Sequence, residues 1–157
     1  MSITVCTFNV KGLGDSSKRK QLFHWLKLNK YSICLLQELH CQEHTFDIWK
    51  KEWGGEAFFS GNSSNSTGVG ILVNSNFAYT VTDYNNLIEG RMQALKLSIN
   101  EKDYLFLNIY APNNPTNNKK NLNKIEEFII LNDTESLIVG GDYNTIINID
   151  KDKKMVI

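Results

Sequence analysis

The sequence contains few cysteines and no excess of charge of either sign. Only three cysteines occur in 157 residues, and no two of them form a Cys-x-x-Cys pair. Neither a disulfide framework nor a zinc site built on paired thiols is therefore expected. The 17 basic and 17 acidic residues cancel, so the composition lacks the basic signature of a general polyanion-binding domain. Any nucleic-acid binding must therefore come from a local site.

Long hydrophobic runs are also absent. The longest apolar stretches are the size of a strand, such as residues 32–36 and 137–139, whereas a transmembrane helix needs about 20 apolar residues in a row. The N-terminus does not have the basic and then apolar organisation of a signal peptide. We therefore expect an intracellular protein with no membrane partner. Its 41% hydrophobic residues are sufficient for the core of one domain.

The chain alternates between strand-like and helix-like segments. No internal repeat or linker is visible, so residues 1–157 are interpreted as one mixed α/β domain. Apolar spacing of three and four predicts amphipathic helices at 18–29, 45–53 and 119–131. Apolar runs predict strands at 3–8, 32–37, 68–73, 91–99, 104–110 and 137–141, with a hairpin about residues 100–103.

Four apolar strands are followed by acids or carboxamides, at Asn9, Glu38, Asn113 and Asp142. Loops that leave the strand ends of a packed sheet commonly carry binding and catalytic groups. Two carboxylates with several amides suit a hard cation and phosphate oxygens, because Mg²⁺ keeps most of its waters and takes one or two carboxylates. Taken singly, an Asp or Asn after a strand is most often a turn or a helix cap. The joint pattern favours a site with Glu38 and Asp142 as its carboxylates.

The last strand leads into Gly140-Gly141-Asp142-Tyr143-Asn144. The spacing of two between Asp142 and Asn144 would direct both side chains the same way if the chain stays extended. One of them could then orient a nucleophile while the other holds a phosphate. The two glycines allow another backbone to approach closely.

Two rival motifs fit less well. Gly12-Leu13-Gly14 lies between a strand and a helix, as in a dinucleotide-binding turn, but the third glycine of that fingerprint is missing. The apolar run into Asp142 resembles a Walker-B strand, but the chain has no Gly-x4-Gly-Lys-Ser/Thr loop. Neither a dinucleotide site nor a nucleoside triphosphatase is therefore favoured.

Three further polar residues are candidates for the rim, the edge at which the ends of these four strands would meet. His40 lies two residues beyond Glu38, where an imidazole could touch phosphate or substrate. His44 follows at a spacing of four, but no ligand-rich context surrounds it, and a structural role is favoured. Arg91 is either a solvated charge at the start of a strand or part of a phosphate-binding surface.

Six blocks follow one another in a fixed order: Thr7–Leu13, Leu36–His40, Gly68–Val73, Glu89–Arg91, Leu107–Asn113 and Gly140–Asn144. In this order they resemble the endonuclease/exonuclease/phosphatase superfamily. Within it, they resemble the apurinic-endonuclease-like domain of long interspersed (non-LTR) retrotransposons. The resemblance covers nearly the whole chain. It implies an α/β fold, namely a four-layer α/β/β/α sandwich of mixed, largely antiparallel sheets whose active site lies at one edge.

The resemblance also implies roles for individual residues in DNA nicking. Glu38 is then the Mg²⁺ ligand, with Asn9 beside it and Mn²⁺ as a possible substitute ion. Asp142 orients or deprotonates the attacking water, and Asn144 holds the scissile phosphate. The remaining phosphate or substrate contacts fall to Tyr110, Asn113, Arg91 and His40.

Two departures from the family pattern are visible. Leu39 stands where the retroelements usually have threonine. The family's domain also continues to a further Asp/Asn pair and a Ser-Asp-His block, whereas all three histidines here precede residue 45. The sequence is therefore interpreted as the N-terminal part of such a domain, with the C-terminal portion missing. A reverse transcriptase is expected in the parent reading frame, and nuclear localisation if the parent element is active.

Two alternatives remain open. One is another phosphodiesterase or phosphatase of the same superfamily, such as an inositol-phosphate or sphingomyelin phosphodiesterase, against which the retroelement-like blocks argue. The other is a catalytically inactive remnant that at most binds nucleic acid.

Overall fold

The computed structural model describes residues 2–61, 67–132, 134 and 136–144. Within these residues, strands and helices alternate along the chain, and a short 3₁₀ turn (Glu43–Thr45) precedes the second helix. The elements are β1 (Val5–Asn9), α1 (Ser16–Leu28), β2 (Ile33–Gln37), α2 (Phe46–Trp53), β3 (Glu56–Ser60), β4 (Val69–Val73), β5 (Thr80–Ile88), β6 (Met92–Ile99), β7 (Lys102–Tyr110), α3 (Pro115–Leu131) and β8 (Leu137–Asp142).

The strands form two four-stranded sheets. Sheet one has the order β1-β2-β4-β3, and sheet two has the order β5-β6-β7-β8. In sheet one β1 and β2 are parallel, and in sheet two β7 and β8 are parallel, while the remaining pairs are antiparallel. Because strands of a parallel pair end at the same edge, the ends of β1 and β2 lie together, as do those of β7 and β8. Contacts between β1 and β8 bring the two pairs to one side of the molecule.

Three hydrophobic layers hold the sheets and helices together. The first joins α1 and α2 to the outer face of sheet one, the second lies between the two sheets, and the third joins α3 to sheet two. The predicted four-layer α/β/β/α arrangement is therefore confirmed. No helix in the described part of the chain is long and apolar enough to span a bilayer. Representative core residues are Phe23 and Trp53 in the first layer, Leu35, Leu95 and Phe106 in the second, and Leu107 and Ile125 in the third.

Local capping sets the helix boundaries. The Asp15 side chain accepts the Lys18 N–H at 2.7 Å, which starts α1, and Gly54 ends α2 at φ 71°. The predicted start of the third helix at residue 119 was too late, because the Asn114 side chain caps the helix and Pro115 occupies its first turn. A proline there loses no helical hydrogen bond.

The strands β3 and β5 were not predicted from the sequence. Both are edge strands, and β5 is exposed along much of its length. Register shifts between Val81 and Asp83 and between Asn86 and Ile88 interrupt its pairing with β6. Bulges of this kind break the two-residue alternation by which a half-buried strand is recognised.

Candidate active site

The structure brings together the polar ends of strands from both sheets. Asn9 ends β1 and Glu38 follows β2 in sheet one, while Tyr110 ends β7 and Asp142 ends β8 in sheet two. Because β1 lies against β8, the carboxylates of Glu38 and Asp142 face each other across the gap between the sheets. The rim that the sequence predicted is therefore present in the fold.

Asn9 joins the two carboxylates. Its Nδ2 donates to Glu38 Oε2 at 2.9 Å and to Asp142 Oδ2 at 2.8 Å. Its Oδ1 accepts the backbone N–H of Lys11 at 3.1 Å. The two amide protons and the carbonyl oxygen are thus all engaged, so the carboxamide has one orientation. It holds two acids close together that would otherwise repel each other.

Glu38 leaves its strand through an uncommon backbone conformation. Both Glu38 and His40 have positive φ, of 57° and 52°, while Leu39 between them is fully buried. The backbone is held on both sides, since Leu39 N donates to Gly68 O at 3.0 Å and Gly12 N donates to Glu38 O at 2.7 Å. Strain at positive φ persists where surrounding bonds over-determine it, which is common at functional sites.

His40 lies against the Glu38 carboxylate. Its Nε2 is 3.3 Å from Glu38 Oε1, and both side chains are partly exposed. Gly12, at φ 84°, leaves room for the ring, since a Cβ there would come within 3.0 Å of His40 Nδ1. The imidazole is thus a neighbour of the candidate metal ligand and also reaches the open face where substrate would lie.

Tyr110 and Arg91 form the sheet-two side of the rim. The Arg91 guanidinium carbon is 4.6 Å from the Tyr110 ring centroid, a cation–π arrangement. Burial raises the pKa of Tyr110, and the negative charges of Glu38 and Asp142 raise it further, although Arg91 opposes them. The phenol therefore stays protonated at neutral pH and can donate its O–H to an anion.

The two asparagines near the ends of β7 and β8 lie in different settings. Asn113 is exposed on the loop between β7 and α3. The Asn144 side chain donates to Ala111 O at 2.6 Å, and its backbone N–H donates to Asp142 Oδ1 at 3.0 Å. Since β8 ends at Asp142 and Asn144 has φ 45°, the chain does not stay extended. The condition under which the sequence predicted a common direction for these two side chains is therefore not met.

The donor set fits a hard divalent cation. Glu38 and Asp142 offer carboxylate oxygens, and the Asn9 amide already fills the position between them with a hydrogen-bond donor. Among the residues that the structure describes, no group of three or more His, Cys, Asp or Glu side chains that could hold a metal ion occurs. Mg²⁺ keeps most of its waters and takes only one or two carboxylates.

Two buried residues near the rim received no role from the sequence. Gln37 and Asn108 are 1% and 0% exposed, and both lie between the sheets. The available signal was a carboxamide inside or at the end of an otherwise apolar strand, since buried polar groups require hydrogen-bond partners.

The sequence pattern of the Endonuclease/Exonuclease/phosphatase family matches residues 6–148 of the chain. The chain belongs to this family. Its members are hydrolytic nucleases and phosphatases that generally use divalent metal ions. The matched segment contains every candidate site residue from Asn9 to Asn144.

A curated relative of this family member is the transposon TX1 uncharacterized 149 kDa protein of Xenopus laevis. The two are 28% identical over 145 residues, which is 92% of this chain and 11% of the relative. The matched segment is thus a small part of that much larger relative.

Solved structures share the fold of this Endonuclease/Exonuclease/phosphatase family member. The endonuclease domain of TRAS1, a telomere-specific non-LTR retrotransposon, superposes with a TM-score of 0.72 at 18% identity, covering 92% of this chain and 62% of that one. Humanized Danio rerio TDP2 gives 0.71 at 16% identity, over 92% of this chain and 63% of that one. A Bacteroides thetaiotaomicron mannosyl-6-phosphatase gives 0.69 at 13% identity, over 91% and 66%. The chain spans less than two thirds of each.

Proposed function

We propose that this chain carries the metal-binding and water-orienting part of a Mg²⁺-dependent endonuclease that nicks DNA for a retroelement. The observation that carries the proposal is the Asn9 carboxamide, which bonds at once to Glu38 of sheet one and Asp142 of sheet two. This bridge holds one acid from each sheet at the same rim, where the cation and the phosphodiester would bind.

Each side chain has a distinct task in this proposal. Glu38 provides the ligand for Mg²⁺ or Mn²⁺, and the bound ion would offset negative charge on the phosphate. Asp142, whose Oδ2 is fixed by Asn9 and whose Oδ1 accepts the Asn144 N–H, orients the attacking water and accepts its proton. Fixing both oxygens in advance lowers the reorganisation needed at the moment of attack.

The phosphate side of the rim consists of hydrogen-bond donors. The protonated Tyr110 phenol and the Arg91 guanidinium lie together beside the carboxylates. Preorganised donors aimed at oxygens that gain charge stabilise the transition state of phosphodiester cleavage. Asn113 on the adjacent loop, Asn144 and the exposed side of His40 complete the proposed phosphate contacts.

The choice of DNA and of a retroelement rests on similarity. The 28% identical relative is a transposon protein, and a superposed neighbour is the endonuclease domain of a non-LTR retrotransposon. We extend these to a parent protein that also contains a reverse transcriptase and acts on DNA in the nucleus.

We further propose that the 157-residue chain does not nick DNA by itself. Its three histidines are His24, His40 and His44, and none of them occupies the Ser-Asp-His block that the family resemblance places beyond Asn144. Loss of one preorganised donor of this kind costs about a hundredfold to a thousandfold in rate. The chain also spans 62–66% of the solved neighbours.

Supercoiled plasmid in Mg²⁺, with and without abasic sites, tests both parts of this proposal. The 157-residue chain is compared with a version extended through a Ser-Asp-His block, and with Asp142→Ala in each. We expect nicking only by the extended version and its loss with Asp142→Ala. Strong nicking by the 157-residue chain that depends on Asp142 would contradict the second part and point to His40 as the substitute donor. An extended version that binds plasmid without cutting it would support a nucleic-acid-binding remnant instead.

A further inference from the structure

Immediately beneath the rim, five carboxamides lie in one row of paired residues that crosses both sheets. In sheet two, Asn86, Gln93, Asn108 and Gly140 are successive partners across β5, β6, β7 and β8. In sheet one, Asn9, Gln37, Val69 and Ser60 occupy the matching row across β1, β2, β4 and β3. The row therefore ends at Asn9, which bridges the two carboxylates.

The centre of the row is the inter-sheet amide pair, Gln37 and Asn108. Gln37 Nε2 donates to Asn108 Oδ1 at 2.8 Å and to Thr7 Oγ1 at 3.0 Å. Asn108 Nδ2 donates to the backbone oxygens of Leu36 and Gly70, each at 2.9 Å. Asn108 on β7 of sheet two thus bonds to β2 and β4 of sheet one, and Gln37 links the pair to β1.

The site depends on how the sheets are offset, because its acids belong to different sheets. The residue after Gln37 is Glu38, and Asp142 lies two residues beyond Gly140, the row partner of Asn108. The apolar contacts between the sheets are non-directional, so they resist separation more than sliding. Hydrogen bonds have narrow distance and angle preferences, so a buried amide pair fixes the offset that apolar packing leaves loose.

We propose that the inter-sheet amide pair is a positioning device that sets the gap between Glu38 and Asp142, so that its loss weakens divalent-cation binding even where the fold is retained. This inference rests on the proposed function for its cation but not for the geometry of the gap. A role limited to satisfying buried polar groups would predict a change in stability and no change at the site. Replacing both members by apolar side chains would then cost stability, because Thr7 Oγ1, Leu36 O and Gly70 O lose donors, but it would leave the Asn9 amide protected and the cation affinity unchanged.

The test compares Gln37→Met, Asn108→Leu and their double variant with the wild-type chain. Urea unfolding reports stability. Hydrogen exchange of the Asn9 side-chain amide is measured in the absence of metal and reports whether Glu38 and Asp142 remain in place. The Asn9 amide signal is assigned by its loss in Asn9→Ser. Calorimetric titration with MgCl₂ reports cation affinity. The matched control is Gln93→Met, a 0% exposed amide of the same row that also joins the two sheets, but on the side away from Asn9, through bonds to Phe58 O at 3.0 Å and Tyr84 Oη at 2.9 Å.

We expect both single variants and the double variant to lower the urea midpoint, because oxygens of Thr7, Leu36 and Gly70 lose donors. The double variant should also lose protection of the Asn9 amide and bind Mg²⁺ about 10- to 100-fold more weakly, the usual cost of losing a supporting hydrogen bond. Gln93→Met should lose stability while keeping both site readouts. If the double variant does not fold, Asn108→Leu alone is scored on the same readouts, since it removes the bonds from Asn108 to Gln37, Leu36 and Gly70 of sheet one.

Protected Asn9 and unchanged affinity in a folded double variant, or in folded Asn108→Leu where the double variant does not fold, would overturn the positioning role. An equal loss in Gln93→Met would overturn it as well. If the wild type does not bind Mg²⁺ but the variants still release the Asn9 amide, the proposed function fails and the positioning role stands.

Discussion

Arg91 and Tyr110 are joined twice across β6 and β7. The Tyr110 N–H donates to Arg91 O at 2.7 Å, and the Arg91 guanidinium carbon lies 4.6 Å from the Tyr110 ring centroid. The backbone bond fixes the origin of both side chains, so the stacked pair stays in register beside the carboxylates. The sequence left Arg91 open between a solvated charge and a site residue, and the geometry places it at the site.

This pair predicts the direction of a titration shift. The positive charge of Arg91 lowers the pKa of Tyr110 against burial and the negative charges of Glu38 and Asp142. Arg91→Gln should therefore raise the Tyr110 pKa further, which NMR or ultraviolet titration would measure. Tyr84, whose pKa is raised by burial and lowered by Gln93, should not change and serves as the internal control. A lower Tyr110 pKa in the variant would contradict the pairing.

Glu38 is predicted to be the main cation ligand. Glu38→Gln keeps the shape of the side chain but removes its charge, and one or two carboxylates carry most of the protein's share of Mg²⁺ binding. Calorimetric titration should show an affinity loss of more than about tenfold. Glu43→Gln, at an exposed position in the nearby 3₁₀ turn, is the charge-matched control. Equal affinity in folded Glu38→Gln and wild type would remove the metal assignment.

A salt bridge away from the site predicts how stability depends on pH. Arg19 is 5% exposed and its Nη2 donates to Glu52 Oε1 at 2.9 Å. This bond holds the pKa of Glu52 below its usual range. A lowered folded pKa gives stability that is present above the unfolded pKa of about 4.3 and is lost as pH falls through the folded value.

Glu52→Gln should therefore cost about 1–3 kcal/mol in unfolding free energy at pH 7. The difference from wild type should shrink as the pH falls below about 4. Urea unfolding measured from pH 3 to pH 8 would show this. A difference that stays constant over that range would contradict the assignment of the low pKa to the Arg19 bond.

Two glycines in one turn predict opposite responses to alanine. Gly12 has φ 84° and its added Cβ would lie 3.0 Å from His40 Nδ1, whereas an added Cβ at Gly14 meets nothing within 4 Å. Gly12→Ala should lower the free energy of unfolding by about 1 kcal/mol or more, because L-residues are strained at this φ. Gly14→Ala should be neutral or slightly stabilising, since it restricts the unfolded chain. Equal urea midpoints in the two variants would refute the argument.

The parts of the fold that were predictable are those with local signals. β2 is buried on both faces because Cys34 and Leu36 pack in the layer with α1 and α2, while Ile33 and Leu35 pack against sheet two. A run of buried residues predicts an interior strand. The cap at Asp15 and the stop at Gly54 are equally local. The edge strand β5 escaped prediction because bulges and exposed positions remove the alternation on which such a prediction depends.

The sequence by itself determined the candidate site residues, since Asn9, Glu38 and Asp142 each lie at the end of an apolar strand and occur in family blocks. Only the tertiary structure decided how they act together. Asn9 is separated by 133 residues from Asp142, and Gln37 by 71 residues from Asn108. Such pairs leave no periodic trace in the chain, because their partners are set by the packing of one sheet on the other. Tertiary hydrogen bonds also set the loops, where Asn144 leaves the extended path at φ 45° and bonds Ala111 O, and where His40 lies against Glu38.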